Sequence, residues 1–208
     1  VKNRLVPIVL LVLAAILLIP PNSPGSSVFY ISAMFFIIAL FVPARGKGFN
    51  YALSYIGLRP KKQKILFLFA IGITALVLSV IITALVSLVL YQLGFLDTGP
   101  VRDKIFSLPL VALIGAFTVA PLGEEALFRG LIFRKASEIS KSWVIGALVS
   151  SAIFAAMHFS YGSVAEIAVA FSIGLVFCAF VKKTKSLIPS LVAHASFNFL
   201  SIIFVVFI

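Results

Sequence analysis

The chain has 208 residues, 62% of them apolar or aromatic and only 11% charged. A soluble domain carries about 45–50% apolar and roughly a quarter charged residues, so an ordinary soluble enzyme, a disordered chain and a collagen-like chain are excluded. Mean hydropathy of +1.21 instead points to an all-α polytopic membrane helix bundle. Its net charge of +11, from 17 Lys and Arg against 6 Asp and Glu, then concerns where charge sits relative to lipid. One Cys and two His rule out a disulfide framework, a Cys-rich zinc site and a Cys-based redox centre. Cys178 lies in an apolar run and reads as a small packing residue.

Seven apolar segments are each about long enough for a lipid-spanning helix. The first, 5–19, follows Lys2 and Arg4 and precedes the loop Pro20-Pro21-Asn22-Ser23-Pro24-Gly25. It has the length of a signal-peptide core, but no small-x-small cleavage site follows, so it reads as a retained span. The second, 28–42, is ended by Pro43 with Gly46 and Gly48. After a basic loop comes the third, 65–93, long enough to tilt or to project beyond the bilayer. The fourth starts near Ser107 and runs into Gly123-Glu124-Glu125. The fifth, sixth and seventh are 143–158, 164–181 and 187–208. Residues 1–106 thus form three spans with a basic loop, and 107–208 a four-span core, in one membrane domain. No internal repeat or low-complexity tract is visible.

The positive charges test this division. With the N-terminus in the cytoplasm, cytoplasmic segments hold 15 Lys and Arg and the opposite side holds 2. The positive-inside rule demands that asymmetry. The chain therefore reads as a multi-pass protein of the cell membrane, with the lipid bilayer as partner and no nucleic acid.

An ionisable group inside a span costs a few kcal/mol, so it needs a reason. The candidates are Glu124, Glu125 and Arg129, then His158, Glu166, His194 and Asn198. On a helix Glu125 and Arg129 share a face and can pair, while Glu124, one position round, cannot do so equally. Glu124 is left free to act as a base near neutrality. The plain structural alternative is a salt-bridge cluster at a helix end. Phe154 lies one turn before His158 on the same face, and a histidine there can also snorkel or cap a helix. His194 and Asn198 share a face well inside their span, where an interhelical hydrogen-bond pair is the bland reading. Glu166 opens a helix, and the helix dipole accounts for an acid there. Together, three segments from three helices offer a carboxylate, an imidazole or an amide to one polar cavity.

Glu124-Glu125-x-x-x-Arg129, Phe154-x-x-x-His158 and His194-x-x-x-Asn198, in that order, resemble the three motifs of the CAAX protease and bacteriocin-processing (CPBP or Abi) family. That family includes the Ras-converting type of CAAX prenyl endopeptidase, and the resemblance covers about residues 107–205. It implies an intramembrane glutamic-type endopeptidase that needs no metal or other cofactor and acts on a membrane-anchored or transmembrane substrate. Carried over by motif, Glu124 and His158 would activate the attacking water, and His194 and Asn198 would line the oxyanion hole. Glu125 and Arg129 would support the site. Members of the family trim prenylated proteins, or in bacteria are linked to peptide processing and self-protection.

Three other readings stand beside this one. A zinc peptidase using both histidines and a glutamate would have enough ligands, although no His-Glu-x-x-His pair is present. A proton-coupled transporter would use the same groups as a relay, but its usual internal repeat is missing. An immunity or scaffold protein could share the fold and act by binding. One geometric tension also arises. On ideal helices His194 lies roughly 11 Å, and His158 about 23 Å, from the cytoplasmic ends of their spans.

Overall fold

The computed structural model describes residues 19–59 and 64–207. The expected first span, apart from its last residue, lies outside the described residues, as do Lys2 and Arg4. The other six expected spans each correspond to a helix long and apolar enough to cross a membrane.

The helices, in chain order, are α1 (Ser26–Ala44), α2 (Phe49–Tyr55), α3 (Ile65–Gln92), α4 (Gly99–Ser107) and α5 (Leu110–Glu124). A π-helical segment (Glu125–Ile132) joins α5 directly to α6 (Phe133–Ser140). Then follow α7 (Trp143–Met157), a 3₁₀ turn (His158–Tyr161), α8 (Val164–Thr184) and α9 (Ile188–Phe207). Among the described residues every regular element is helical, as lipid requires of an open chain that must satisfy its own backbone. The short helices α2 and α4 carry no span-length apolar signal and stand between the spans.

Sequence punctuation explains the boundaries. The Ser142 and Ser163 hydroxyls accept from the amides of Ile145 and Glu166, capping α7 and α8. Lys141 and Lys185 take left-handed conformations that stop α6 and α8. Long helix α3 leaves Leu66, Phe69, Ile73, Val77, Val80 and Leu85 exposed, a surface suited to lipid chains.

Packing places the motif helices side by side. Helix α5 lies on α1 and α9, α9 also packs on α3, and α8 lies between α3 and α7. At Gly123 the backbone of α1 comes so close that an added Cβ would run into the carbonyl oxygen of Ser32. That residue immediately precedes Glu124, so the close approach fixes where the glutamates enter the bundle. Phe35, Phe128 and Phe154 form a buried aromatic cluster beneath them.

The α3–α4 connection is tied down by one carboxylate. Asp97 Oδ1 accepts from the Ala165 amide and Oδ2 from the Val164 amide, each at 2.9 Å. The Ser163 hydroxyl donates to Oδ1 at the same distance. The Ala165 amide above all, then Val164 and Ser163, holds the Asp97 carboxyl below the usual carboxylate range. A depressed folded value means stability that is present above the unfolded value, about pH 4, and lost as pH falls through the folded one. Asp97→Asn is therefore expected to lower the melting temperature slightly at pH 7, with the difference vanishing toward pH 2–3. Thermal unfolding in detergent at the two pH values checks this; an equal deficit at both would contradict it.

Candidate active site

The first motif sits at a break in helix type. Pro121 has no amide to donate to its own helix, and the chain widens from α into π geometry at Glu125. A straight α-helix is what the sequence suggests, but the wider turn still lets Glu125 and Arg129 meet. Arg129 Nη1 donates to Glu125 Oε1 at 3.0 Å, and both residues are fully buried. The rest of the guanidinium lies over aromatic faces, 4.2 Å from the Phe154 ring centre and 5.3 Å from that of Phe177. Those faces compensate for Nε and Nη2, which have no hydrogen-bond acceptor.

The same Glu125 oxygen also holds the third motif. His194 Nδ1 lies 2.9 Å from Glu125 Oε1, and a carboxylate paired with arginine can only accept, so Nδ1 donates. Phe177 and Phe154 flank the imidazole at 5.4 and 5.8 Å between ring centres. Its remaining nitrogen, Nε2, stands 3.5 Å from Glu124 Oε2. The two neighbouring glutamates thus grip opposite edges of one histidine. Their exposure differs: the Glu124 side chain is 23% accessible and that of Glu125 1%.

His158 enters from the second motif through the 3₁₀ turn. Its Nδ1 donates to the Phe154 carbonyl at 2.9 Å, so Nε2 is the nitrogen left for chemistry. Tyr161 stacks on the ring at 5.5 Å, and Phe154 meets it edge-on at 4.7 Å. Asn198 donates from Nδ2 to the Ala116 carbonyl at 2.9 Å, which orients its amide and leaves its second N–H. A cavity of about 390 Å³ is lined by Glu124, His158, His194 and Asn198 together, with Tyr161 and Glu166. That volume falls within the range of small-ligand pockets.

The expected depth difference is spanned by Phe154. Helix α7 begins at Trp143, the expected start of the fifth span. The Phe154 ring contacts both imidazoles, and both border the cavity.

Glu166 is the residue that sequence reasoning undervalued. It does sit in the first turn of α8, where the dipole favours an acid, but its carboxylate lies 4.0 Å from His158 Nε2. Its scarcity was the available signal: it is one of six acids in the chain, eight positions after a motif histidine. Among the described residues, no group of three His, Cys, Asp or Glu side chains is arranged to hold a metal ion.

The fold and the site together define a multi-pass helical membrane protein whose spans enclose a glutamate–histidine cavity. Residues 106–200 match the family model described as type II CAAX prenyl endopeptidase Rce1-like, and the matched segment carries all three motifs. An uncharacterised 24.3 kDa protein of Escherichia coli is 31% identical over 117 residues, covering 52% of this chain and 53% of that protein. The chain thus matches about half the length of this relative. No solved structure matches the chain.

Proposed function

We propose that the protein is an intramembrane endopeptidase that hydrolyses a peptide bond in a membrane-anchored or transmembrane substrate. The supporting observation is the position of the Glu124 carboxylate, 3.5 Å from His194 Nε2, on a cavity wall shared with His158 and Asn198. The Rce1-like match over the same residues supports a peptidase-type activity.

In this reading Glu124 takes a proton from water, with His158 Nε2 beside it, and the water oxygen bonds to the scissile carbonyl carbon. Negative charge moves onto the carbonyl oxygen, where the second N–H of Asn198 donates to it and His194, carrying a proton on each ring nitrogen in this step, donates from Nε2. The proton held by Glu124 passes to the leaving nitrogen as the C–N bond breaks. Glu125 and Arg129 keep His194 oriented. A site among the spans lets an anchored substrate enter sideways and shields these polar contacts from bulk water.

The test is a comparison of membrane proteomes from cells carrying wild type and Glu124→Ala. New membrane-derived cleavage products in wild type alone support the proposal, and identical profiles contradict it. Insensitivity of the purified protein to chelators separates this reading from a zinc peptidase. The proposal includes a cytoplasmic N-terminus, drawn from the 15-to-2 charge split. Reporter fusions after Lys62, Lys141 and Lys185 are expected to report the cytoplasm, and one on the outer side would break the assignment.

A further inference from the structure

A second, smaller cavity of about 160 Å³, sharing no lining residue with the first, lies where the ends of α6 and α8 meet the start of α7. Its lining includes Arg134, Lys182, Lys185, Trp143, Ser137 and Glu138. Three cations therefore surround a space about five times the volume of one water in the liquid. The one acid in the lining is already engaged, since Glu138 accepts from the Tyr55 hydroxyl at 2.8 Å and from Lys135 Nζ at 3.1 Å.

Helix dipoles do not account for this cluster. Lys182 and Lys185 end α8, where cations are favoured, but Arg134 lies inside the continuous run from α5 through the π segment to α6, short of its last turn, where no dipole end favours a cation. Arg134 Nη2 reaches only the Lys185 carbonyl, at 3.3 Å, and its buried Nε has no acceptor. Arg134 is thus fixed by backbone and feels the charge of Glu138, but that carboxylate is ion-paired to Lys135 and leaves Arg134 Nε without an acceptor. Partial desolvation at the cavity wall first, and then the nearby charges of Lys182 and Arg134, pushes the largely exposed Lys185 ammonium below the usual lysine range. An anion in the cavity would relieve that crowding.

The level of the cavity identifies the anion's source. Trp143 is exposed at the first residue of α7, where an apolar span begins, and tryptophan favours the boundary between hydrocarbon and headgroups. Basic pockets between spans at this level suit phosphate-bearing headgroups. We propose that this cavity binds the phosphate of an anionic membrane phospholipid, with Arg134, Lys182 and Lys185 as its partners. Guanidinium supplies the directional N–H fork and the two ammonium groups supply charge. The site is separate from the glutamate–histidine cavity and does not rest on the peptidase reading.

Trp143 is the only tryptophan in the chain, so its fluorescence reports on this cavity directly. The full protein is reconstituted in phosphatidylcholine vesicles, and a brominated lipid, either phosphatidylglycerol or phosphatidylcholine, is titrated in. Brominated phosphatidylglycerol is expected to quench Trp143 at a mole fraction lower by roughly fivefold or more. The preference is expected to shrink in Lys182→Gln and to disappear in Lys182→Gln/Lys185→Gln. Both lysines are solvent-exposed, so these variants keep the fold. Lys183→Gln removes the same charge beside the cavity and is expected to retain the preference. Equal quenching by the two lipids in wild type would overturn the proposal. So would an equal loss in Lys183→Gln, which would reduce the effect to surface potential. Loss of the preference on adding inorganic phosphate, at constant ionic strength, would assign the site to a soluble anion and overturn the lipid assignment.

Discussion

Glu124→Gln is expected to lower cleavage by about three orders of magnitude or to background, while the protein folds as before. The reason is local. Glu124 faces the cavity with a partly accessible side chain and approaches His194 Nε2 at 3.5 Å, but Arg129 is bonded to Glu125. Glutamine keeps the volume and can still hydrogen-bond to the imidazole, so no buried charge loses its partner. What it cannot do is accept a proton from water. Thermal unfolding close to that of wild type, with turnover lost, is the expected pair of results. Full turnover in Glu124→Gln would remove Glu124 from the chemistry.

The second large effect falls on Glu125 and Arg129, and it concerns stability as well as turnover. Both are buried, and one Glu125 oxygen serves Arg129 and His194 at once. Removing one member of a buried pair leaves the other uncompensated and costs about 3–5 kcal/mol. Glu125→Gln and Arg129→Gln are each expected to lower the melting temperature far more than Glu124→Gln. The double variant is expected to fall short of the sum, since both single changes break the same contact. Turnover should separate the two. Arg129→Gln keeps the charged Glu125–His194 hydrogen bond and retains more activity, whereas Glu125→Gln takes the negative charge out of both contacts. Additive destabilisation, or equal turnover in both single variants at equal folded protein, would contradict this wiring.

Much of this arrangement is legible in the sequence because lipid imposes strong rules. Six apolar runs became six helices at nearly the expected boundaries, since length and hydropathy dominate when backbone must bond to itself. The Glu125–Arg129 pair follows from spacing alone. What spacing cannot reveal is which histidine meets which glutamate. The resemblance assigns the attacking water to Glu124 and His158; the imidazole nearest to Glu124 is His194, and His158 approaches Glu166. That choice depends on how α5, α8 and α9 cross. The π segment was hidden for a related reason, as only Pro121 marks it and proline is common in membrane helices. Asp97 was also illegible, because its partners lie 66 to 68 residues away on the start of α8.

The central claim is hydrolysis by a glutamate-activated water, and its most direct test uses heavy-oxygen water. Purified protein in liposomes is mixed with membrane proteins extracted from cells that lack it, and new C-termini are identified by mass spectrometry. New C-termini carrying oxygen from the solvent are expected with wild type and none with Glu124→Gln. The same labelled C-termini appearing with Glu124→Gln as with wild type would contradict it.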